Sequence, residues 1–514
     1  MWFVYFTSCE RQVENVGKVK KVKLQSEERS IEIAENFRRA LQIPMMGPKL
    51  RQIIFICAFL VSNASCAYGR GVFRKQFPQK FPPVDRSRGD PGDPLFLTPY
   101  IEKGDIDHAR ELATVGPLNG TSISSYAGFF TVNKTFNGNM FFWFFPSQTK
   151  GSDDPVLLWL QGGPGGSSLY GALVEHGPFG IDRDLHIFSR NFSWNRKYNM
   201  LYIDNPVGTG FSFADDAGYA RTEDDVAENL LNALVQFFTL FYELKGNDFY
   251  ITGESYAGKY IPALASRIHR DQPQPKVNLR GMAIGDGFSD PPVMVQAYAD
   301  FMYQTGLVDE LQRDHVANQT NTTVSLIKQK KWMEALAVWG ETIDYFSKCS
   351  GLHDYFNYLR CKMPDDMSYY GKWLSLSDVR RSIHVGSLTY NDGSKVEQYL
   401  AVDMMQSVKP QLTEAMNYYK VMVYSGQLDV IVAVPLTEAM LLTVPWKYQS
   451  EYLSASRLIW RIRPDDVEVA GYVRQVHDFY QVIVRGGGHI LPYDQPERSW
   501  DMIDRFISNR QFVK

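Results

Sequence analysis

Over most of the chain, hydrophobic residues fall in short runs separated by turn-forming residues. MFFWFFP (140–146), DPVLLWL (154–160), NMLYIDNP (199–206) and FYITGES (249–255) are bounded by turn residues, as buried strands should be. LRGMAIGDG (279–287), KVMVYSG (420–426) and FYQVIVRGGG (479–488) continue the set. Helical patterns lie between them, notably from Glu223 to Leu244. This alternation predicts an α/β class with a mixed, mostly parallel central sheet. From Pro292 to Thr413 strand signals fade. Amphipathic stretches such as LIKQKKWMEALAVWG (326–340) predict a largely helical cap inserted in the sheet.

Before this pattern the chain reads differently. Residues 68–100 carry Pro78, Pro82, Pro83, Pro91, Pro94 and Pro99, an extended N-terminal arm. Upstream, Ile53 to Val61 is the longest charge-free apolar run. It is far shorter than the roughly 20 residues a spanning helix needs, so no membrane span is predicted. Lys49 and Arg51 precede it and Ser65-x-Ala67 follows, the arrangement of a signal peptide over 46–67 that starts at Met46. Residues 1–67 are then absent from the mature protein, and residues 1–45 reflect a wrongly assigned start or an upstream exon. The remainder divides into a first core part (101–291), the cap (292–413) and a second core part (414–514). That is one capped unit, although 514 residues would suggest about three domains.

A composition of 44% hydrophobic and 22% charged residues excludes a disordered, collagenous or coiled-coil chain. A net charge of −3 points to no nucleic-acid partner. Export to a secreted or lysosomal location gives meaning to five N-glycosylation sequons, at Asn119, Asn133, Asn191, Asn318 and Asn321. Three of the five cysteines, Cys9, Cys57 and Cys66, leave with the leader. Cys349 and Cys361 then remain to form a short-loop disulfide.

Thr252-Gly253-Glu254-Ser255-Tyr256-Ala257-Gly258 sits between a predicted strand and helix, where a sharp turn would present Ser255 as a nucleophile. An alcohol needs an adjacent base, and α/β-hydrolases supply it in the chain order Ser, Asp or Glu, His. Asp429 follows the strand KVMVYSG, and His489 follows DFYQVIV within Gly486-Gly487-Gly488-His489. The glycine-rich stretch from Gln161 to Ser168 lacks the Gly-Lys-Ser/Thr ending of a phosphate loop. It is read instead as an oxyanion site built from the N–H groups of Gly163 and Tyr256. No H-E-x-x-H or Cys/His ligand cluster appears, so neither a metal nor another cofactor is implied.

WLQGGPGGSSLYGALVEHGPF, NMLYIDNPVGTGFSF, FYITGESYAGKYIP, GMAIGDGFSDP, VMVYSGQLDVIV and VIVRGGGHILPYDQP resemble, in order, the serine carboxypeptidase family. The resemblance covers roughly residues 80–510. Gln161 and Gly166 replace the commoner asparagine and cysteine and, with GGGHILPYDQP, are most similar to the vitellogenic-like branch. The resemblance implies an α/β-hydrolase fold and a serine-type exopeptidase that releases C-terminal amino acids through an acyl-enzyme. It implies Ser255 as nucleophile, His489 as base and acid, and Asp429 orienting His489. Trp159, Gln161, Gly162, Glu175 and Glu254 would bind the terminal carboxylate of a peptide or protein substrate. Gly166 removes a cysteine that normally joins a disulfide, so packing alone is expected to hold its loop. A homodimer is left open.

Two glutamates in close approach cannot both ionise cheaply, so Glu175 and Glu254 predict peptide cleavage favoured at acidic pH. The competing functions are acyl transfer or ester hydrolysis on the same fold, and a non-catalytic protective or yolk-associated protein. Trp159, Glu175 and Glu254 argue against the first, and the intact Ser255, Asp429 and His489 against the second.

Overall fold

The computed structural model describes residues 81–118 and 121–512. The expected leader, the segment before it, the start of the proline-rich arm and Asn119 lie outside these residues. In chain order the strands are β1 (Thr114–Val115), β2 (Ser125–Asn133), β3 (Gly138–Phe145), β4 (Val156–Leu160) and β5 (Phe179–Ile181). Next come β6 (Ile187–Ser189), β7 (Asn199–Ile203), β8 (Thr209–Gly210), β9 (Phe249–Glu254) and β10 (Leu279–Gly285). β11 (Asn391–Asp392), β12 (Lys420–Gly426), β13 (Leu458–Trp460), β14 (Gly471–Val476) and β15 (Phe479–Val484) complete them.

Eleven strands form one sheet in the order β1-β2-β3-β7-β4-β9-β10-β12-β15-β14-β13. Its six central strands, β7 to β15, run parallel, and antiparallel strands flank them on both sides. Every residue of β3, β4, β7 and β9 is buried, as expected for strands covered on both faces. All seven apolar runs picked out in the sequence are strands of this sheet. The loops that follow β4, β9, β10, β12 and β15 leave the same edge, and neighbouring strands are about 4.8 Å apart. Side chains from five distant parts of the chain can therefore meet there.

Helix α1 (Glu223–Leu240) begins with a capping box, Thr222 receiving the Asp225 N–H while the Asp225 side chain receives that of Thr222. Helix α2 (Ala257–Asp271) follows β9 after a two-residue turn and contains Pro262. Proline has no N–H for the carbonyl four residues earlier. Here that carbonyl, on Gly258, accepts from Ser289 Oγ at 2.7 Å, so the helix continues without a buried orphan.

Between β10 and β12 the chain is mainly helical. Helices α3 (Glu310–Lys328) and α4 (Trp332–Ser350) pair, and Trp339 of α4 stacks on Phe288 at 5.1 Å between ring centres. Later β11 pairs with β8, tying this region back to the core. Cys349 and Cys361 are free thiols, so the expected disulfide is not formed. Cys349, in the last turn of α4, stands beside the Tyr345 side chain, whereas Cys361 is exposed beyond the Gly351 turn. Asn191, Asn318 and Asn321 are exposed. Asn133 is half-buried, and its Oδ1 accepts from Phe136 N–H at 3.2 Å.

A β-carbon on Gly258 would lie 2.7 Å from backbone atoms of Gly287 and Phe288. Gly258→Ala is therefore expected to destabilise the fold by about 1–3 kcal/mol through overpacking, measured by urea unfolding. An unchanged midpoint would show that α2 can move away from the β10 loop.

Candidate active site

The turn between β9 and α2 is built around Ser255, whose φ is +64°. Residues with a side chain rarely adopt that backbone, and they hold it only where the surroundings impose it. Three backbone hydrogen bonds do so. Ser255 N–H donates to Gly285 O at 2.9 Å, and Ser255 O accepts from Gly258 N–H at 2.9 Å and Phe288 N–H at 3.0 Å. The side chain is thus set at the N-terminus of α2, where backbone N–H groups lack helical partners.

Two loops bring Asp429 and His489 to the same sheet edge. Asp429 follows β12; its Oδ1 accepts from Ile431 N–H at 2.9 Å and its Oδ2 from Val432 N–H at 3.2 Å. The same Oδ2 is 2.7 Å from His489 Nδ1. With the Nδ1 proton directed at Asp429, the His489 ring carries its other lone pair on Nε2. The cap fixes both loops. Tyr355 O accepts from Val430 N–H at 3.2 Å, and Phe356 O accepts from His489 N–H at 2.7 Å. The Phe356 ring also packs 4.4 Å from the His489 ring. Ser255 Oγ makes no hydrogen bond to a described residue, and such bonds often tighten only when substrate binds.

The glycine-rich loop after β4 closes over the serine. A β-carbon at Gly162 would lie 2.5 Å from Ser255 Cβ, 2.6 Å from Tyr256 N and 2.8 Å from Ser255 Oγ. Only a residue without a side chain fits there, and it leaves the Tyr256 N–H uncovered by a β-carbon. Gly163 follows at φ +123°. The loop is held by more than packing, which corrects the expectation for Gly166. Gly166 N–H donates to Gly162 O at 2.9 Å, Gln161 N–H donates to Ser168 Oγ at 3.2 Å, and Ser167 Oγ donates to Asp204.

Trp159, Gln161 and Glu254 form a buried chain. Trp159 Nε1–H donates to Gln161 Oε1 at 2.9 Å, and Gln161 Nε2–H donates to Glu254 Oε1 at 2.7 Å. Glu175 ends a π-helical turn (Gly171–Glu175) in which every residue is buried. Burial pushes its carboxyl up to about 8, against the opposing pull of the Gln161 side chain and Arg190. Burial, and then the neighbouring Glu175, push Glu254 well above the carboxylate range. No well-aligned hydrogen bond from a described residue reaches either Glu175 oxygen or Glu254 Oε2. His176 lies between the rings of Trp159 and Trp194, at 4.2 and 4.1 Å, and burial holds it well below the usual imidazole range. Glu175 also borders a cleft of about 650 Å³ shared with Arg183, Asp366 and Tyr493.

Some contributors were not identified in the sequence. The Arg190 guanidinium donates to the carbonyls of Leu173 at 2.5 Å and of Phe179, which fixes the turn carrying Glu175. No motif marks it, since it acts by reaching back to carbonyls. The Tyr355–Tyr358 segment was equally hidden inside the cap. Asp286 lies in a quoted motif but had no role there. An acidic residue just past a strand that neighbours the Asp429 strand was the available signal.

The serine carboxypeptidase family model matches residues 117–509. The human protein named probable serine carboxypeptidase CPVL is 54% identical over 449 residues, covering 85% of this chain and 94% of its own. The vitellogenic carboxypeptidase of Aedes aegypti is 40% identical over 433 residues, covering 82% and 91%. Among solved structures, a prohormone-processing carboxypeptidase from Saccharomyces cerevisiae, Kex1(delta)p, has a TM-score of 0.70 at 23% identity, covering 78% of this chain and 96% of that one. That last likeness is one of fold.

Stability should follow these buried acids. Glu175 and Asp204, the latter raised to about 7 mainly by burial, hold protons in the folded state that the unfolded chain releases near pH 4. The folded state therefore binds more protons, and stability falls as pH rises through those folded values. Between about pH 7 and 8 Glu175 still holds its proton while Asp204 has largely lost its own, so the expected fall is on the order of 1 kcal/mol per pH unit over that interval and levels off above it. Thermal melts from pH 7 to 8.5 check this. Glu175→Gln should flatten the slope, and a melting temperature that rises over that range would contradict it.

Proposed function

The chain belongs to the serine carboxypeptidase family, and from that premise we propose that Ser255, His489 and Asp429 are the working residues of its active site. The protein is a serine-type carboxypeptidase of the α/β-hydrolase fold. In the proposed reaction Ser255 Oγ attacks the last peptide carbonyl while His489 Nε2 takes its proton. The resulting oxyanion receives the N–H groups of Tyr256 and Gly163. His489 then protonates the departing amine, which leaves as the free C-terminal amino acid. Water, deprotonated by the same imidazole, hydrolyses the acyl-serine. Asp429 holds the ring with Nε2 toward the serine and stabilises its charged form.

The observation that carries this reading is the Trp159–Gln161–Glu254 chain, which ends one residue before the nucleophile. A terminal carboxylate seated there would bring the last peptide bond toward Ser255. Protonated Glu254 or Glu175 can donate a hydrogen bond to that carboxylate. Once both ionise, they repel it. Glycosylation at the five sequons, and passage through the secretory pathway to a secreted or lysosomal location, belong to the same proposal. Among the described residues no helix is long and apolar enough to cross a membrane.

Ser255→Ala should abolish release of the C-terminal amino acid from a blocked dipeptide at about pH 5, measured by amino-acid analysis; release by the variant would refute the nucleophile. For wild type, KM for a free-carboxylate peptide should climb at alkaline pH, once Glu254 as well as Glu175 has lost its proton, approaching tenfold per pH unit, while hydrolysis of the matching peptide amide persists. Peptide cleavage that peaks above pH 8 would overturn the shared-proton account.

A further inference from the structure

Behind the His489–Asp429 pair lies a second buried carboxyl, that of Asp286, which the reaction above leaves unused. It follows β10, next to the Asp429 strand β12, and its backbone is held at φ +43° with Asp286 N–H donating to Tyr424 O at 2.8 Å. Its side chain, Asp429 and His489 are all fully buried. One ligand atom from each of the three lies within 4.8 Å of the others.

Two carboxyls this close in a dry site favour one proton between them. Their surroundings say which one holds it. Asp429 accepts from three donors, the N–H groups of Ile431 and Val432 and His489 Nδ1, as a carboxylate should. Asp286 Oδ1 accepts one, from Gly426 N–H at 2.8 Å, and no donor among the described residues reaches its Oδ2. The other titratable groups that bear on this pair are Asp494, Tyr298 and, more remotely, Glu254 and Tyr424. No lysine or arginine is among them, so apart from His489, which faces Asp429, no cation nearby favours a second negative charge.

We propose that Asp286 is a positioning residue of the catalytic site: a neutral carboxylic acid that accepts the Gly426 N–H on Oδ1 and donates its own proton from Oδ2 to Asp429. Burial, followed by the adjacent Asp429 carboxylate, pushes the Asp286 carboxyl well above the usual range, in keeping with that state. The donated hydrogen bond spreads the charge of Asp429 and fixes the oxygen facing His489. The inference rests on the triad reading above and adds a fourth residue to it.

The rate at which an organophosphate labels Ser255, followed against pH, tests this without engaging the terminal-carboxylate site. Absence of labelling in wild type would refute the triad reading itself. Given labelling, Asp286→Asn supplies the same shape, acceptor and donor. It should label within about threefold of wild type, with the acid limb of the profile unmoved. Asp286→Ala withdraws the donor, so Asp429 should hold the imidazolium more tightly and the limb should move up by about one pH unit. A limb that moves down in Asp286→Asn would mean that a negative charge had been removed, and would overturn the proposal. So would an unfolded Asp286→Asn protein, or an Asp286→Ala limb identical to that of wild type. Labelling lost on treatment with a chelator would place a cation between the carboxyls in place of the proton, and would overturn it equally.

Discussion

The molecule is organised around one strained residue. Ser255 occupies a left-handed backbone at the end of β9, and the three hydrogen bonds that hold it come from the β10 edge and the start of α2. That turn forces strand, helix and glycine-rich loop into contact, which is why side chains are excluded at Gly162 and Gly258. The same proximity sets the nucleophile, the Tyr256 N–H and the Gln161 loop beside one another. The strain is opposed by a sheet edge buried on both faces, so the cost of the turn falls on the core and not on the site.

A second constraint follows from bringing so many acids to one dry edge. Glu175, Glu254, Asp286 and Asp429 come from four segments, and His489 lies among them. Ionising all four carboxyls would be prohibitive in a low-dielectric interior. The site therefore works by sorting protons. Asp429 receives three donors, whereas burial and a neighbouring carboxyl push Glu254 and Asp286 upward. Under the proposed function, peptide binding at acidic pH and stability at low pH would share one cause, because the same protons would serve both.

The helical region between β10 and β12 reaches the candidate site through backbone atoms. The Tyr355–Tyr358 segment passes between the Asp429 and His489 loops and donates or accepts at each: Tyr355 O with Val430, Phe356 O with His489, and Tyr358 N–H with Leu428 O at 3.1 Å. Asp494, bonded to Asn357 at 2.9 Å and to Gly488 N–H at 2.8 Å, closes the link from the other side. The imidazole is therefore oriented from two directions, by Asp429 on its ring and by the cap segment on its main chain. A shift of that segment would move His489 before it moved Ser255.

How much of this was legible in the chain itself depends on range. The seven buried strands were legible because strands covered on both faces read as continuous apolar runs. β2, β13 and β14 were not picked out; the mixed burial along β14 gives a weaker signal. Ser255, Asp429, His489 and the Gln161 loop announced themselves through local turn chemistry, since each sits where a strand ends. The disulfide expected from Cys349 and Cys361 failed because spacing says nothing about where two thiols point. Arg190, Phe356 and the pairing of Asp286 with Asp429 carried no local mark. They depend on segments tens to hundreds of residues apart meeting at one edge. The amino-acid order by itself determined which groups could react; only the folded sheet decided which carboxyls would meet in a buried place, because that depends on distance and burial in three dimensions.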